Sequence, residues 1–334
     1  MDGIQTLSTQ RSPMAALPRV VVPLQRSLKA AIGCVGVGLH SGRRISMTMR
    51  PAGAGDGIVF RRVDLPGAPE IPARYDNVVD TTLCTVLALP DRLDVRVGTV
   101  EHVLAALAGC GISNAVVEVD GPEVPVLDGS AANFVFLIDC AGVVEQDAPV
   151  DVIEIMRPVR VRDGSAYAEL LPCPFGFEAA VSIAFDAAAV GSQSISMRLT
   201  PDSFRTELAN ARTFTMASDV ERLRAAGLAL GGSLDNAVVV DGDRVLNPGG
   251  LRMVDEFVRH KLLDAVGDLA LAGAVLRGRL VSHRCGHALN NKLVRALFSD
   301  RLNWRSMTAE PTPTRKIRPV SGRQPDLRIA AAAA

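Results

Sequence analysis

The segment Asp255–Gly273, DEFVRHKLLDAVGDLALAG, constrains the fold of this chain more than any other. It reads as one helix. Asp255 and Glu256 stand where acidic residues favour a helix N-terminus, and Gly273 stands where a C-terminus favours a residue free to take positive φ. Phe257, Val258, Leu262, Leu263, Val266, Leu269 and Leu271 supply an apolar face. His260, Asp264 and Asp268 recur at i, i+4, i+8, so an imidazole and two carboxylates lie one above another. A solvated polar face is one reading of that ridge. Half of a metal site with a spare acid beside it is the other.

The chain has 334 residues, enough for two ordinary domains, and its 48% hydrophobic content supplies large cores. Basic and acidic residues balance at 36 each, without the basic excess of a nucleic-acid binder. One Trp and two Tyr give no platform for stacking bases. No nucleic-acid partner is expected. Six cysteines are scattered without a C-x-x-C pair, the usage of a reduced, cytoplasmic protein. No uncharged apolar run reaches the ~18 residues of a membrane span, and the first residues lack a signal-peptide pattern.

Residues 1–26 carry prolines and no sustained period, and predict a disordered leader. Residues 306–334 predict a flexible tail. Between them, strands followed by helices occur twice. Strand patterns at Ile45–Met49 and Gly57–Arg61 precede a hairpin, Cys84–Leu89 with Asp94–Val97. A helix then opens with Thr99 as its N-cap and Glu101 in its first turn, and a second runs over Ser130–Cys140. The second round has strands at Val152–Ile155, Val159–Val161, Ala166–Leu170 and Ala179–Ala184. A hairpin turns at Asp241–Gly242, Arg279–Ser282 is a strand, and Ala288–Phe298 is the last helix. This predicts an α+β chain of two similar domains, 27–148 and 149–305.

Of five histidines, His102, His260 and His287 lie in apolar, helix-associated contexts. A hydrolytic zinc takes three protein ligands and keeps one position for water. His102, His260 and Asp264 form the candidate set, drawn from both halves, which places the metal at a domain interface. Glu101 then stands beside a ligand as a base. His287 is the second titratable group, with Asp268 able to hold it charged. H-E-x-x-H is absent.

The stretches VGTVEHVLAALAGCGISNAVVEVDGPEVPVLDGSAANF, ARTF, LGGSLDNAVVV, DEFVRHKLLDAVGDL and GHALNNKL, with VGVGLHSG around His40 and DTTLCT, resemble the UDP-3-O-acyl-N-acetylglucosamine deacetylase family. These are zinc enzymes that commit a Gram-negative bacterium to lipid A synthesis. The resemblance runs from about Ser27 to about Leu302. It implies two two-layer α/β sandwiches packed face to face, each with a small insert and with the active site between them. It implies zinc on His102, His260 and Asp264, Glu101 as general base, His287 as second catalytic group, and Thr213 at the oxyanion. Asp268 supports the histidine. Lys261, Arg284, Phe214 and Leu83 contact a UDP-linked, acylated sugar, with Arg284 and Lys261 suited to its diphosphate. The second insert, about residues 216–245, forms the acyl-chain passage, lined by Gly232, Ser233 and Val239. A cytoplasmic monomer is expected. Where some members carry Asp-Phe-Asn-His-Pro, this chain reads Ala184-Phe-Asp-Ala-Ala. Two other readings compete: a binding protein on the same fold without turnover, and a zinc deacetylase for a different acetylated sugar.

Overall fold

A computed structural model describes residues 23–308. In the N-terminal half a five-stranded sheet runs in the order Ile32–Val37, Arg44–Pro51, Ala115–Val119, Ile58–Arg62, Glu70–Pro72. Only the Ile58–Arg62/Ala115–Val119 pair is parallel. Period-two alternation sends Ile45, Met47 and Met49 into the core, where Phe60 and Val117 join them. Helices α1 (Glu101–Gly109) and α2 (Ala132–Ala141) add Leu104, Leu107, Phe134 and Ile138 to that core. The expected hairpin forms as Val86–Leu89 with Arg92–Val97, and Val78–Asp80 adds a third strand.

The C-terminal half is built on Val275–His283, far longer than the four residues expected. Its first part pairs in parallel with Val152–Glu154 and the remainder in parallel with Phe177–Ser182. Ala166–Leu171 lies antiparallel on its other edge, and Ser192–Leu199 extends the sheet beyond Phe177–Ala184. That last strand escapes a sequence reading because SQSISMRL alternates between half-exposed and exposed positions, not buried and exposed ones. A one-turn helix α3 (Pro201–Ser203) follows, closed by a reciprocal cap between Thr200 and Ser203. Residues 214–245 form a small three-stranded sheet, Phe214–Met216, Val238–Asp241 and Arg244–Val245, with an outlying helix α4 (Ala217–Ala225). Then come α5 (Glu256–Ala270) and α6 (His287–Phe298).

Both expected chain ends need correction. Leu24–Leu28 is a strand, antiparallel to Val143–Pro149, so residues 23–26 are not part of a disordered leader. Trp304–Met307 pairs with Val152–Ile155, so the sheet reaches past residue 305. Each segment is ordered by a partner more than a hundred residues away, which no local pattern announces. The rest of the expected leader and tail, 1–22 and 309–334, lies outside the described residues.

Where the halves meet, α1 lies directly against α5. A Cβ on Gly267 would sit 2.0 Å from the Glu101 carbonyl oxygen, so only glycine allows this approach. The α2 entry is similarly tight: Gly129, at φ +81°, would place a Cβ 2.0 Å from the Asn236 carbonyl oxygen.

At the start of α5, Glu256 is fully buried. It accepts from Arg212 N (3.0 Å) and Nε (2.8 Å), and from Arg252 N (2.7 Å). Burial raises its pKa, but Arg212 and the two amides outweigh that, and the net shift is downward. Removing one partner of a buried pair costs ~3–5 kcal/mol, the loss expected for Glu256→Ala in urea unfolding. Because the folded-state pKa lies below the unfolded one, this stabilisation is complete above the unfolded value and disappears as pH falls through the folded one. Wild type therefore loses more stability than Glu256→Gln as pH falls from about 4 through the folded-state value. Equal losses would show that the carboxylate carries no net stabilisation.

Candidate active site at the α1–α5 contact

The ridge on α5 is not solvated. His260, Asp264 and Asp268 are each at most 2% exposed, and α1 covers them with Glu101 and His102, each 3% exposed. His102, His260 and Asp264 come together, with one ligand atom from each lying within 4.8 Å of the others. The Nε2 atoms of His260 and His102 stand 3.2 and 3.5 Å from Asp264 Oδ1. The His260 ring is fixed through Nδ1, which donates to the Ala211 carbonyl at 3.0 Å, leaving the Nε2 lone pair facing Asp264. Burial lowers the His260 pKa, against the opposing pull of Asp264.

Asp264 Oδ1 is buried and has no hydrogen-bond partner. Its other oxygen accepts from Lys261 Nζ at 2.8 Å. Burial raises the Asp264 pKa, but His260 and Lys261 overcome that and hold it well below the usual carboxylate range. A buried, ionised oxygen without a partner, faced by two imidazole nitrogens, is unstable unless a cation lies between them. Two imidazoles and one carboxylate are a zinc donor set. The residues present fit that metal.

Beside this group a second cluster surrounds Glu101. Thr85 N donates to Glu101 Oε2 at 3.0 Å, and Oε1 stands 3.8 Å from His287 Nε2. Burial raises the Glu101 pKa, which moves it toward the range of a useful base. His287 Nδ1 donates to Asp268 Oδ2 at 2.9 Å. Burial works against the charged imidazole, yet Asp268 and then Glu101 raise its pKa to about 10. A bound dication opposes that rise, so the value is lower with metal in place.

Two members of this cluster were not singled out in the sequence. The Thr85 hydroxyl donates to Asp268 Oδ1 at 2.6 Å while its amide holds Glu101. Asn290 Nδ2 donates to Asp268 Oδ2 at 2.8 Å. Both lie inside the quoted motifs DTTLCT and GHALNN, but a threonine and an asparagine have no spacing rule that marks them. Thr99 is not an N-cap. It lies at φ +54° with its hydroxyl on Glu123, and the first turn of α1 has no side-chain cap. Cys84 is buried with a thiol pKa pushed up to about 12, by burial and then by Glu101, so it stays protonated.

The other predicted residues lie around these clusters at varying remove. Phe214 packs edge-on to Phe257 (4.9 Å between ring centroids) and lies 6.4 Å from the His260 ring. Lys261 Nζ sits 5.4 Å over the Phe214 ring, between Asp264 and a cleft of about 310 Å³. Arg284 lines the same cleft with Phe185 and Cys285. Thr213 is fixed through its backbone, its amide donating to Gly129 O at 2.8 Å and its carbonyl accepting from Val238 N. Leu83 is exposed, at φ +71°, in the loop before Thr85. Gly232, Ser233 and Val239 belong to the insert, with Ser233 exposed and the other two half-buried.

A mixed α/β chain carries here a buried two-histidine, one-carboxylate group with an acid–imidazole pair beside it, the equipment of a metal-dependent hydrolase. The family model for UDP-3-O-acyl N-acetylglycosamine deacetylase matches residues 25–299, and the chain belongs to that family. It is 50% identical over 286 residues to the UDP-3-O-acyl-N-acetylglucosamine deacetylase of Idiomarina loihiensis, covering 85% of this chain and 92% of that protein. It is 47% identical over 287 residues to the protein of the same name from Shewanella sp. (strain W3-18-1), covering 86% and 93%.

Proposed function

We propose that this chain is the zinc-dependent deacetylase of lipid A biosynthesis. It hydrolyses the acetamide of UDP-3-O-[(3R)-3-hydroxyacyl]-N-acetylglucosamine to the free amine and acetate. The observation that carries this is the partnerless Asp264 oxygen between two imidazoles, with Glu101 and His287 adjacent. Bound to His102, His260 and Asp264, zinc supplies Lewis acidity to the amide carbonyl and to an attacking water. Thr85 occupies Glu101 Oε2, so Oε1 is the atom that takes the water's proton. His287, held through Nδ1 by Asp268, presents its Nε2–H to the developing oxyanion, with the Thr213 hydroxyl assigned to the same charge. Glu101 or His287 then protonates the leaving amine.

Substrate binding is assigned to the surrounding residues. Lys261 and Arg284 receive the diphosphate at their shared cleft, and Leu83 and Phe214 contact the sugar and its acyl group. The division into α+β domains near residue 149 belongs to the same reading. No helix among the described residues is long and apolar enough to cross a membrane. Six free cysteines, with no disulfide among the described residues, support a cytoplasmic location, and we take the protein to act as a monomer. Acetate release from the acylated UDP-sugar, abolished by a chelator and restored by zinc, is the expected result. No release from that substrate by the zinc-loaded protein would overturn the proposal.

The insert at about residues 216–245 is assigned to the acyl chain. A Cβ at Gly232 would meet Ala229 O at 3.2 Å and the Leu39 side chain at 3.8 Å, so a bulky side chain must extend into the remaining space. Gly232→Leu is expected to shift the preference to shorter acyl chains, read as kcat/KM across a length series. An unchanged preference would place the passage elsewhere.

A further inference from the structure

Thr99 is buried and lies at φ +54°, a left-handed conformation that is an outlier for a β-branched residue. It stands two residues before Glu101 and three before His102. Such backbone persists only where its surroundings over-determine it. Here Val100 N reaches Thr85 O at 3.5 Å on one side, and the other surroundings centre on Glu123. Gly98 N donates to Pro122 O at 2.9 Å and Val124 N to Gly98 O at 3.0 Å, which clips the chain to both sides of Glu123. The Thr99 hydroxyl then donates to Glu123 Oε1 at 2.9 Å.

The same buried carboxylate holds a second, distant segment. His40 N donates to Glu123 Oε1 at 2.8 Å and Ser41 N to Oε2 at 3.0 Å. That turn in turn carries the insert. Leu230 N donates to His40 O at 3.2 Å, and Gly231 N to Leu39 O at 3.0 Å. Both ring nitrogens of His40 are buried without a hydrogen-bond partner, so the turn is held by its backbone and not through its imidazole.

We propose that Glu123 is a positioning residue with two arms. One fixes the left-handed Thr99 that aims Glu101 and His102. The other fixes the His40–Ser41 turn on which the insert rests. The identity of what is positioned rests on the deacetylase reading above; the clasp itself does not.

The arms separate by mutation. In Glu123→Gln the amide oxygen keeps Thr99 and His40, while the NH2 group faces the Ser41 N–H, donor against donor. Losing one charge-assisted hydrogen bond predicts a KM for the acylated substrate raised roughly tenfold or more, with kcat within about threefold. Thr99→Val removes the hydroxyl and keeps the strain; it predicts kcat lowered roughly tenfold, weaker zinc binding, and KM little changed. Thr99→Gly removes the strain as well, and is expected to keep kcat and zinc affinity near wild type. An unchanged KM in Glu123→Gln, or a Thr99→Gly as impaired as Thr99→Val, would overturn the proposal. The Thr99 variants leave the carboxylate in place, so they carry the test if Glu123→Gln fails to fold. Were wild type to release no acetate, the deacetylase reading would fall. The clasp would still be decided by Ser41 amide exchange, faster in Glu123→Gln, and by zinc affinity in Thr99→Val against Thr99→Gly.

Discussion

Glu101→Gln is expected to keep its zinc and to slow acetate release by roughly the 10²–10⁴-fold typical of a lost general base. His102→Ala is expected to lose zinc and activity together. The two residues are neighbours in sequence but diverge by ~100° around α1. His102 joins His260 and Asp264, whereas Glu101 turns toward Thr85 and His287. Glutamine preserves the size of the side chain and can still accept from Thr85 N, so the site stays assembled. What it cannot do is hold a proton taken from water. Metal content by elemental analysis, measured beside acetate release for both variants, separates the roles. If Glu101→Gln emptied the site of zinc, Glu101 would be holding the metal, and the base would have to be sought at His287.

Gly267→Ala is expected to damage the same site from the opposite helix. A Cβ there would stand 2.0 Å from the Glu101 carbonyl oxygen and 3.0 Å from its Cα. Both are backbone atoms and cannot rotate away, so α1 must move bodily off α5. Overpacking of this kind costs ~1–3 kcal/mol in stability. The functional loss is expected to be larger, because the displaced segment carries Glu101 and His102 while His260 and Asp264 stay on α5. A misplacement of about 1 Å can cost ~10²-fold in rate. The measurements are urea unfolding, zinc affinity and kcat on one preparation. Wild-type values for all three would mean that the helices do not approach this closely in solution.

The sequence by itself determined many of the local elements and one face of the candidate site. The 3.6-residue period and acidic start of Asp255–Gly273 marked α5, which ends at Ala270 with Leu271 as its cap, short of Gly273 at φ +77°. The i, i+4, i+8 spacing put His260, Asp264 and Asp268 on one face, because helix geometry alone decides that. The motif resemblance named the residues from α1 and α6 that join them. What spacing could not decide was whether the face was wet. It is dry because α1, about 150 residues earlier, packs on it through Gly267, a contact set by one missing Cβ. The pKa shifts follow from that burial and not from the motif. Thr85, Asn290 and Glu123 were illegible for the same reason. Each acts through a hydrogen bond with another segment of the chain, such as Thr85 donating to Asp268 across 183 residues and Glu123 accepting from His40 N. The strands Leu24–Leu28 and Trp304–Met307 pair with Val143–Pro149 and Val152–Ile155. A strand edge is satisfied by its neighbour's backbone, and only the tertiary structure decides which neighbour that is.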